Sequence, residues 1–301
     1  MFPCIRGTLH IAVDTNLVFK DNFIAHYKGT DFKYIIGKES SESGVRQSDC
    51  IVARINRTPE STYNTITELV SLWSYSHDCG FIVRGSSSDK FLGDLVDRRP
   101  GVSQKKMLSK DFRTDILSIE LQVCMKLPLI VTPLQSNIVR LYRLARTAEY
   151  FDPIASFLYY FHIIDYPLEA DAKKGISIQY IDKFRSTVSQ GSQEQTFIDL
   201  ILKDRVFDKT KSNANDTNFS LGEYITSKVR GSVAHIVRYD YNDAANLEID
   251  SFGQMSHFYH LLRIMKPIAR YKMNAEYSFN VYCGKDILYL HTGFEGLEQE
   301  L

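Results

Sequence analysis

The sequence of 301 residues is poor in cysteine, and its five cysteines are scattered without a C-x-x-C pair. An odd number of dispersed cysteines argues against a disulfide framework, and the missing C-x-x-C pair argues against a zinc knuckle or a dithiol redox motif. Free thiols persist in a reducing compartment, so we expect a cytoplasmic protein. We expect neither a cofactor nor a metal ion.

Long apolar runs and an excess of charge of one sign are also missing. The longest mainly apolar stretch, 157–164, is much shorter than the roughly 20 residues of a membrane-spanning helix. Arg6, Asp14 and Lys20 interrupt the start of the chain, so we expect no secretory signal and no membrane partner. The 36 basic and 36 acidic residues cancel. A neutral chain that binds nucleic acid therefore needs a local basic patch.

What is abundant is apolar and aromatic side chains, which make up 44% and 12% of the chain, enough for a large core. Strand-like alternation fills the first part, and long helical periods follow the prolines at 128 and 133. The sequence predicts an α+β protein: a mixed or antiparallel α+β domain over residues 1–130, acting as a sensor or recognition domain, then a helical domain over residues 131–301 that ends in a hairpin. The predicted helices are 135–148, 152–166, 176–189, 193–205, 220–238 and 252–272.

The most informative stretch is 221–238, LGEYITSKVRGSVAHIVR. Ser220 and Glu223 form the S-x-x-E pattern that begins a helix. Apolar residues then recur at helical spacing and predict one buried stripe, namely Leu221, Ile225, Val229, Val233 and Ile236. The same helix carries Arg230 and, five residues later, His235. An arginine can hold charge that builds on a phosphate, and a histidine can transfer protons near neutral pH.

The spacing of Arg230 and His235 leaves two interpretations open. At about 100° per residue, five residues place the two side chains roughly 140° apart on a straight helix. Either Gly231 marks a kink or a late helix start, or a second chain completes the site. A solvated arginine and a half-buried histidine on a core helix are the plain structural alternative.

The R-x4-H motif on this helix, together with the upstream residues, resembles the HEPN superfamily in its Apea-like and MauJ-like branch. The upstream residues are the run 140–146 (RLYRLAR), the Y-F-D-P of 150–153 and the aromatic helix 157–166, which ends in Asp165-Tyr166. The resemblance covers roughly residues 134–272. It implies a helical bundle that dimerises, so that the R-x4-H motifs of two chains meet in one cleft.

By resemblance, the protein is a metal-independent endoribonuclease, and a toxin-like or antiviral-defence effector is one form such a protein takes. Arg230 and His235 would be catalytic, and RNA cleavage would leave a 2′,3′-cyclic phosphate. Active members commonly carry Asn, Asp or His directly after the motif arginine, where this chain has Gly231. The alternative function is a non-catalytic dimeric scaffold or a module that binds nucleotide or RNA. A protein or ligand activator would act on the N-terminal domain.

Several further residues are candidates for supporting roles. Asp165 could orient Arg230 or His235 by a charge-assisted hydrogen bond, or it could simply end its helix. Tyr224, Lys228 and Tyr239 flank the motif on the same helix and could contact a substrate phosphate or base. Arg140, Arg143 and Arg146 recur every three residues, so they could line an RNA path or form a solvated face. We interpret His162, which lies among aromatic residues, as a core histidine.

Overall fold

The structure is a computed structural model, and it describes residues 7–15, 17–19, 22–37, 48–88, 117–119, 127–166, 176–207, 219–235, 252–283 and 287–290. The chain divides into two compact units, unit 1 with Met1–Arg146 and Val281–Leu301, and unit 2 with Thr147–Asn280. An antiparallel sheet in the N-terminal part is followed by helices, so the α+β prediction is confirmed.

The strands that the structure describes all lie in unit 1. These are β1 (Thr8–Thr15), β2 (Leu17–Phe19), β3 (Phe23–Tyr27), β4 (Thr30–Ile35), β5 (Asp49–Arg54), β6 (Phe81–Ser88), β7 (Leu117–Ile119), β8 (Leu127–Pro128), β9 (Tyr282–Cys283) and β10 (Ile287–Leu290). Six of them form one sheet in the order β10-β3-β4-β5-β1-β6, with antiparallel neighbours throughout. β2 pairs with β7 in parallel, and β8 pairs with β9.

In the described residues, unit 1 also contains two helices, α1 (Pro59–His77) and most of α2 (Pro133–Ala148). The Thr58 side chain accepts a hydrogen bond from Ser61 N and so caps α1, with Pro59 at the first helical position as predicted. α1 buries Trp73 completely among aromatic rings of the sheet, such as Phe23 and Tyr34. The alternating strands and this apolar helix face therefore close one core.

Helix α2 explains why the units divide after residue 146 and not at 130/131, where the sequence analysis placed the domain boundary. The Tyr142 hydroxyl donates to Asp78 Oδ1 at 2.6 Å, and its ring meets that of Tyr75 edge-on. Arg146 forms a salt bridge with the Asp78 carboxylate and donates to the Asp78 carbonyl oxygen. The prolines do mark a connection, because α2 begins at Pro133, but the helix that follows packs with unit 1.

The end of the chain also returns to unit 1. β9 pairs with β8, and β10 pairs with β3 over Ile24–Tyr27. In the described residues these two strands therefore pair with other strands. The predicted hairpin required them to pair with each other. Pairing with distant strands cannot be read from local sequence, because turn residues indicate only pairing between neighbours.

Unit 2 is helical in its described residues. Its helices are α3 (Pro153–Asp165), α4 (Ile176–Thr187), α5 (Gln193–Asp204), α6 (Leu221–Glu223), a π-helical segment (Tyr224–Arg230), α7 (Gly231–His235) and α8 (Phe252–Tyr277). These lie close to the helices predicted from sequence. Phe157 of α3 meets Phe258 of α8 edge-on, and both rings are buried. No described helix is long and apolar enough to cross a membrane.

Candidate active site

The Arg230 helix, as we call the continuous run 221–235, begins as the sequence predicts. Ser220 Oγ accepts from Glu223 N at 3.1 Å, and Glu223 Oε2 accepts from Ser220 N at 2.9 Å, which is a complete capping box. The predicted stripe is buried at its four described positions, Leu221, Ile225, Val229 and Val233. Ile236 lies outside the described residues.

The interior of the Arg230 helix differs from the expected α-helix. Tyr224–Arg230 form seven residues of π-helix, and α-helical geometry resumes at Gly231. π-Helical turns are closed by i→i+5 hydrogen bonds; they are rare and are frequently found at functional sites. Gly231 has φ −57° and ψ −49°, so it is helical and is neither a kink nor a helix start. The motif arginine thus lies where π-helix changes to α-helix.

The beginning of the Arg230 helix packs closely against α4. The Gly222 amide donates to Asp182 Oδ1 at 2.8 Å. A Cβ at Gly222 would lie 2.5 Å from the carbonyl oxygen of Ile178, whereas a Cβ at Gly231 would have no atom within 4 Å. One glycine therefore permits close packing of two helices, and the other leaves its side of the helix open.

Arg230 is exposed, and its guanidinium carbon lies 5.9 Å from the centre of the Phe161 ring. Phe161 itself is buried on α3, so the guanidinium makes a cation–π contact with a ring that is fixed in the core. Among the described residues, no carboxylate forms a salt bridge with Arg230. The guanidinium is thus accessible to an anionic ligand, and sequence analysis did not identify Phe161 as its neighbour.

His235 is the last residue of α7, and its side chain lies outside the described part of the structure. Residues 231–235 are α-helical, and five residues of an α-helix correspond to roughly 140° around its axis, so the positions of Arg230 and His235 lie on different sides of the helix. This placement favours the interpretation in which a second chain completes the site. Tyr239, the candidate beyond His235, also lies outside the described residues.

Tyr224 is fully buried rather than positioned for substrate. Its hydroxyl lies 3.0 Å from His257 Nε2 on α8 and accepts from Phe207 N at 3.3 Å. Tyr224 therefore fixes the π-helical segment against α8. Lys228 is half-buried, with its ammonium 5.1 Å from the centre of the Phe219 ring.

Asp165 ends α3, and its electrostatic neighbour is Lys272. The Lys272 ammonium is buried and donates to the carbonyl oxygens of Ile164, at 2.5 Å, and of Tyr166. Burial lowers the pKa of Lys272, while the carboxylates of Glu276 and Asp165 act in the opposite direction. Asp165 is thus part of the end of α3, which matches the structural interpretation of this residue.

The predicted RNA-binding arginines lie in unit 1, on α2. Arg143 donates to Ser71 Oγ at 3.1 Å and to Phe81 O at 3.0 Å, and burial, followed by the charge of Arg140, lowers its pKa to about 10. Arg146 forms a salt bridge with Asp78 Oδ1 at 3.0 Å. These two guanidinium groups hold unit 1 together, so they are not available to phosphates. Arg140 is half-buried, and its Nη2 donates to the carbonyl oxygen of Asn64 at 3.0 Å.

Two other expectations concern histidines and metals. His162 is exposed, so its interpretation as a core histidine is wrong: it lies on the outer side of α3, while Phe161 and Ile163 point inward. In the part of the chain that the structure describes, no group of three or more His, Cys, Asp or Glu residues is placed to hold a metal ion.

Comparison with protein families gives a match to part of the chain. The family model described as methylamine utilization protein MauJ matches residues 138–274, a stretch that includes Asp165, Arg230 and His235. No curated protein matches the chain significantly. No solved structure does so either. Unit 2 and the end of α2 are therefore similar to the MauJ family.

Proposed function

We propose that unit 2 is a metal-independent endoribonuclease module of the HEPN type that acts as a homodimer. The observation that carries this proposal is the placement of Arg230: its guanidinium is exposed, rests on Phe161 and has no acidic partner among the described residues. An arginine kept accessible at a π-to-α junction suits an anionic ligand. The match to the MauJ family over the same stretch supports the proposal.

In the proposed reaction, the RNA 2′-oxygen attacks the adjacent phosphorus while the bond from phosphorus to the 5′-oxygen breaks. The His235 imidazole of one copy takes the proton of the 2′-hydroxyl. The His235 imidazole of the second copy gives a proton to the leaving 5′-oxygen. Arg230 holds the negative charge on the phosphorane oxygens through its planar fork of N–H donors. The products are a 2′,3′-cyclic phosphate and a 5′-hydroxyl, and this mechanism needs no metal ion.

The homodimer in this proposal follows from the geometry of one chain. The positions of Arg230 and His235 lie roughly 140° apart around an α-helix. A two-fold axis beside the Arg230 helix would bring the His235 of one copy toward the Arg230 of the other, since across such an axis a contact of residue i with residue j is repeated as a contact of j with i. A cytoplasmic toxin-like or antiviral-defence role fits an RNA-cutting homodimer.

The test is cleavage of a mixed RNA pool by the full chain in EDTA, with four variants. Arg230→Lys keeps the charge but loses the planar fork, and His235→Ala loses the proton carrier. We expect both to lower cleavage by about 10²- to 10⁴-fold. The controls are Arg185→Lys, an exposed arginine on α4, and His26→Ala, a partly exposed histidine of unit 1. Both controls should cleave as the wild type does.

A non-catalytic dimeric scaffold or nucleotide-binding module is the second candidate. Gly231 favours it, because active HEPN members commonly carry a polar residue there and this chain leaves the position open. The neutral net charge favours it too. Absence of cleavage by the wild type, combined with unchanged folding, would support this candidate over the ribonuclease.

A further inference from the structure

A polar groove of about 660 Å³ lies within unit 1. Four segments line it: the turn between β3 and β4, the first turns of α1, the connection from β8 to α2 and the first turns of α2. Its polar lining includes Lys28, Ser61, Asn64, Ser136, Asn137 and Arg140. The volume lies within the range of small-molecule sites.

One charged pair in the groove is neutralised internally. The Lys28 ammonium lies 2.6 Å from Glu68 Oε1, and the Tyr27 hydroxyl donates to the same oxygen at 2.7 Å. Lys28 also donates to the carbonyl oxygen of Ile130 at 3.1 Å. Lys28 and Glu68 therefore build the floor of the groove and add no net charge to it.

The remaining charge of the groove is positive. Both α1 and α2 begin at the groove, capped by Thr58 and Thr132, and each helix start carries roughly +0.5 of a charge. Glu60, the second acidic residue of the lining, offsets these helix starts. The charge of Arg140 is then left over.

Arg140 has hydrogen-bonding capacity that the described residues do not use. Its Nη2 donates to the carbonyl oxygen of Asn64 at 3.0 Å, and no described residue accepts from its Nη1. Its Nε is enclosed by protein, so a ligand in the groove would meet the guanidinium at its outer nitrogens. A phosphate oxygen is a suitable acceptor, because the guanidinium fork matches phosphate geometry.

We propose that this groove binds a small organic phosphate monoester of mononucleotide size, with its phosphate on Arg140. The amide groups of Asn64 and Asn137 and the hydroxyls of Ser61 and Ser136 would bind the polar remainder of the ligand. Unit 1 would then be the ligand-sensing part of the chain. This proposal concerns unit 1 alone and does not rest on the proposed ribonuclease function of unit 2.

The test is isothermal titration calorimetry of the full chain with adenosine 5′-monophosphate, adenosine and inorganic phosphate. We expect the monophosphate to bind, and adenosine to bind at least about tenfold more weakly because it lacks the charged acceptor. Arg140→Gln should weaken monophosphate binding by a similar factor, and Arg140→Lys should restore only part of it. Arg54→Gln, an exposed arginine on β5 outside the groove, should bind as the wild type does.

Circular dichroism and the unfolding midpoint confirm that each variant is folded. Asn137 is an exposed residue of the groove, and Asn137→Ala should also weaken binding of the monophosphate. The proposal is overturned if the wild type binds none of the three probes. It is also overturned if adenosine binds as tightly as its monophosphate, or if folded Arg140→Gln binds like the wild type. RNA cleavage in the same preparations reports on unit 2 separately.

Discussion

Individual arginines show how far sequence can assign a role to a residue. Arg143 and Arg146 have the spacing of an RNA-contacting face, yet their guanidinium groups bind Ser71, Phe81 and Asp78 within unit 1. Spacing fixes which side of a helix a residue occupies, but not what packs against that side. Arg230, in contrast, lies in the R-x4-H motif and is exposed.

Arg146 provides a prediction at this scale. Arg146→Ala should lower the free energy of unfolding by about 2 kcal/mol, because it removes charge-assisted hydrogen bonds from a side chain that is buried. Because Asp78 is half-exposed, its carboxylate stays solvated in the variant, which limits the loss of unfolding free energy. Urea unfolding measures this loss, with the exposed Arg185→Ala variant as control. Equal midpoints for the two variants would show that Arg146 does not hold unit 1 together.

The two glycines of the Arg230 helix provide a matched prediction. Gly222→Ala should cost about 1–3 kcal/mol of stability, because its Cβ would meet the backbone of Ile178. Gly231→Ala should raise the free energy of unfolding by about 0.5–1 kcal/mol, because alanine favours a helix and its Cβ would meet no other atom there. Thermal unfolding of the two variants checks both signs. A stable Gly222→Ala variant would refute the close approach of the Arg230 helix to α4.

At the scale of elements, sequence located the Arg230 helix but not its π-helical interior. The capping box and the buried stripe were both predicted, since each depends on a few neighbouring residues. Leu221, Ile225, Val229 and Val233 recur every four residues, a spacing close to one turn of either helix type, so the stripe did not distinguish π-helix from α-helix.

The end of α3 provides a prediction about how elements are joined. Lys272→Met should cost about 1–3 kcal/mol, because the carbonyl oxygens of Ile164 and Tyr166 lose their buried donor. The lowered pKa of Lys272 means that the unfolded chain binds this proton more tightly than the folded chain. The stability of the wild type relative to Lys272→Met should therefore rise as pH rises from the folded pKa of Lys272 toward the ordinary lysine pKa.

Urea unfolding over a pH series measures this difference, with the exposed Lys203→Met on α5 as control. The control should show neither the loss at neutral pH nor the change with pH. A Lys272→Met protein that is as stable as the wild type at every pH would contradict the role of Lys272 at the end of α3.

At the scale of the whole molecule, local patterns predicted the α+β class and the order of elements, but not the division of the chain into units. Strand and helix periods depend on adjacent residues, and these agreed closely with the structure. The pairing of β10 with β3 and the packing of α2 with unit 1 join residues far apart in sequence. Such contacts depend on the burial of apolar faces of strands and helices, and a local turn motif does not predict them.

The oligomeric state is the prediction for the whole molecule. Light scattering of the full chain at micromolar concentration should give twice the mass of one chain, because the positions of Arg230 and His235 lie on different sides of one Arg230 helix. A monomer under these conditions would count strongly against a shared site. The Arg230→Lys variant should remain a dimer, so that any loss of activity in it reports on chemistry.

The chemistry of the RNA ends tests the central claim most directly. A defined RNA is incubated with the wild-type chain in EDTA, and the fragments are analysed by mass spectrometry. The proposed mechanism predicts fragments that end in a 2′,3′-cyclic phosphate and begin with a 5′-hydroxyl, and no cleavage at a nucleotide whose 2′-hydroxyl is replaced by hydrogen. Fragments with a 5′-phosphate, or cleavage at the 2′-deoxy position, would contradict attack by the 2′-oxygen and with it the roles given to Arg230 and His235.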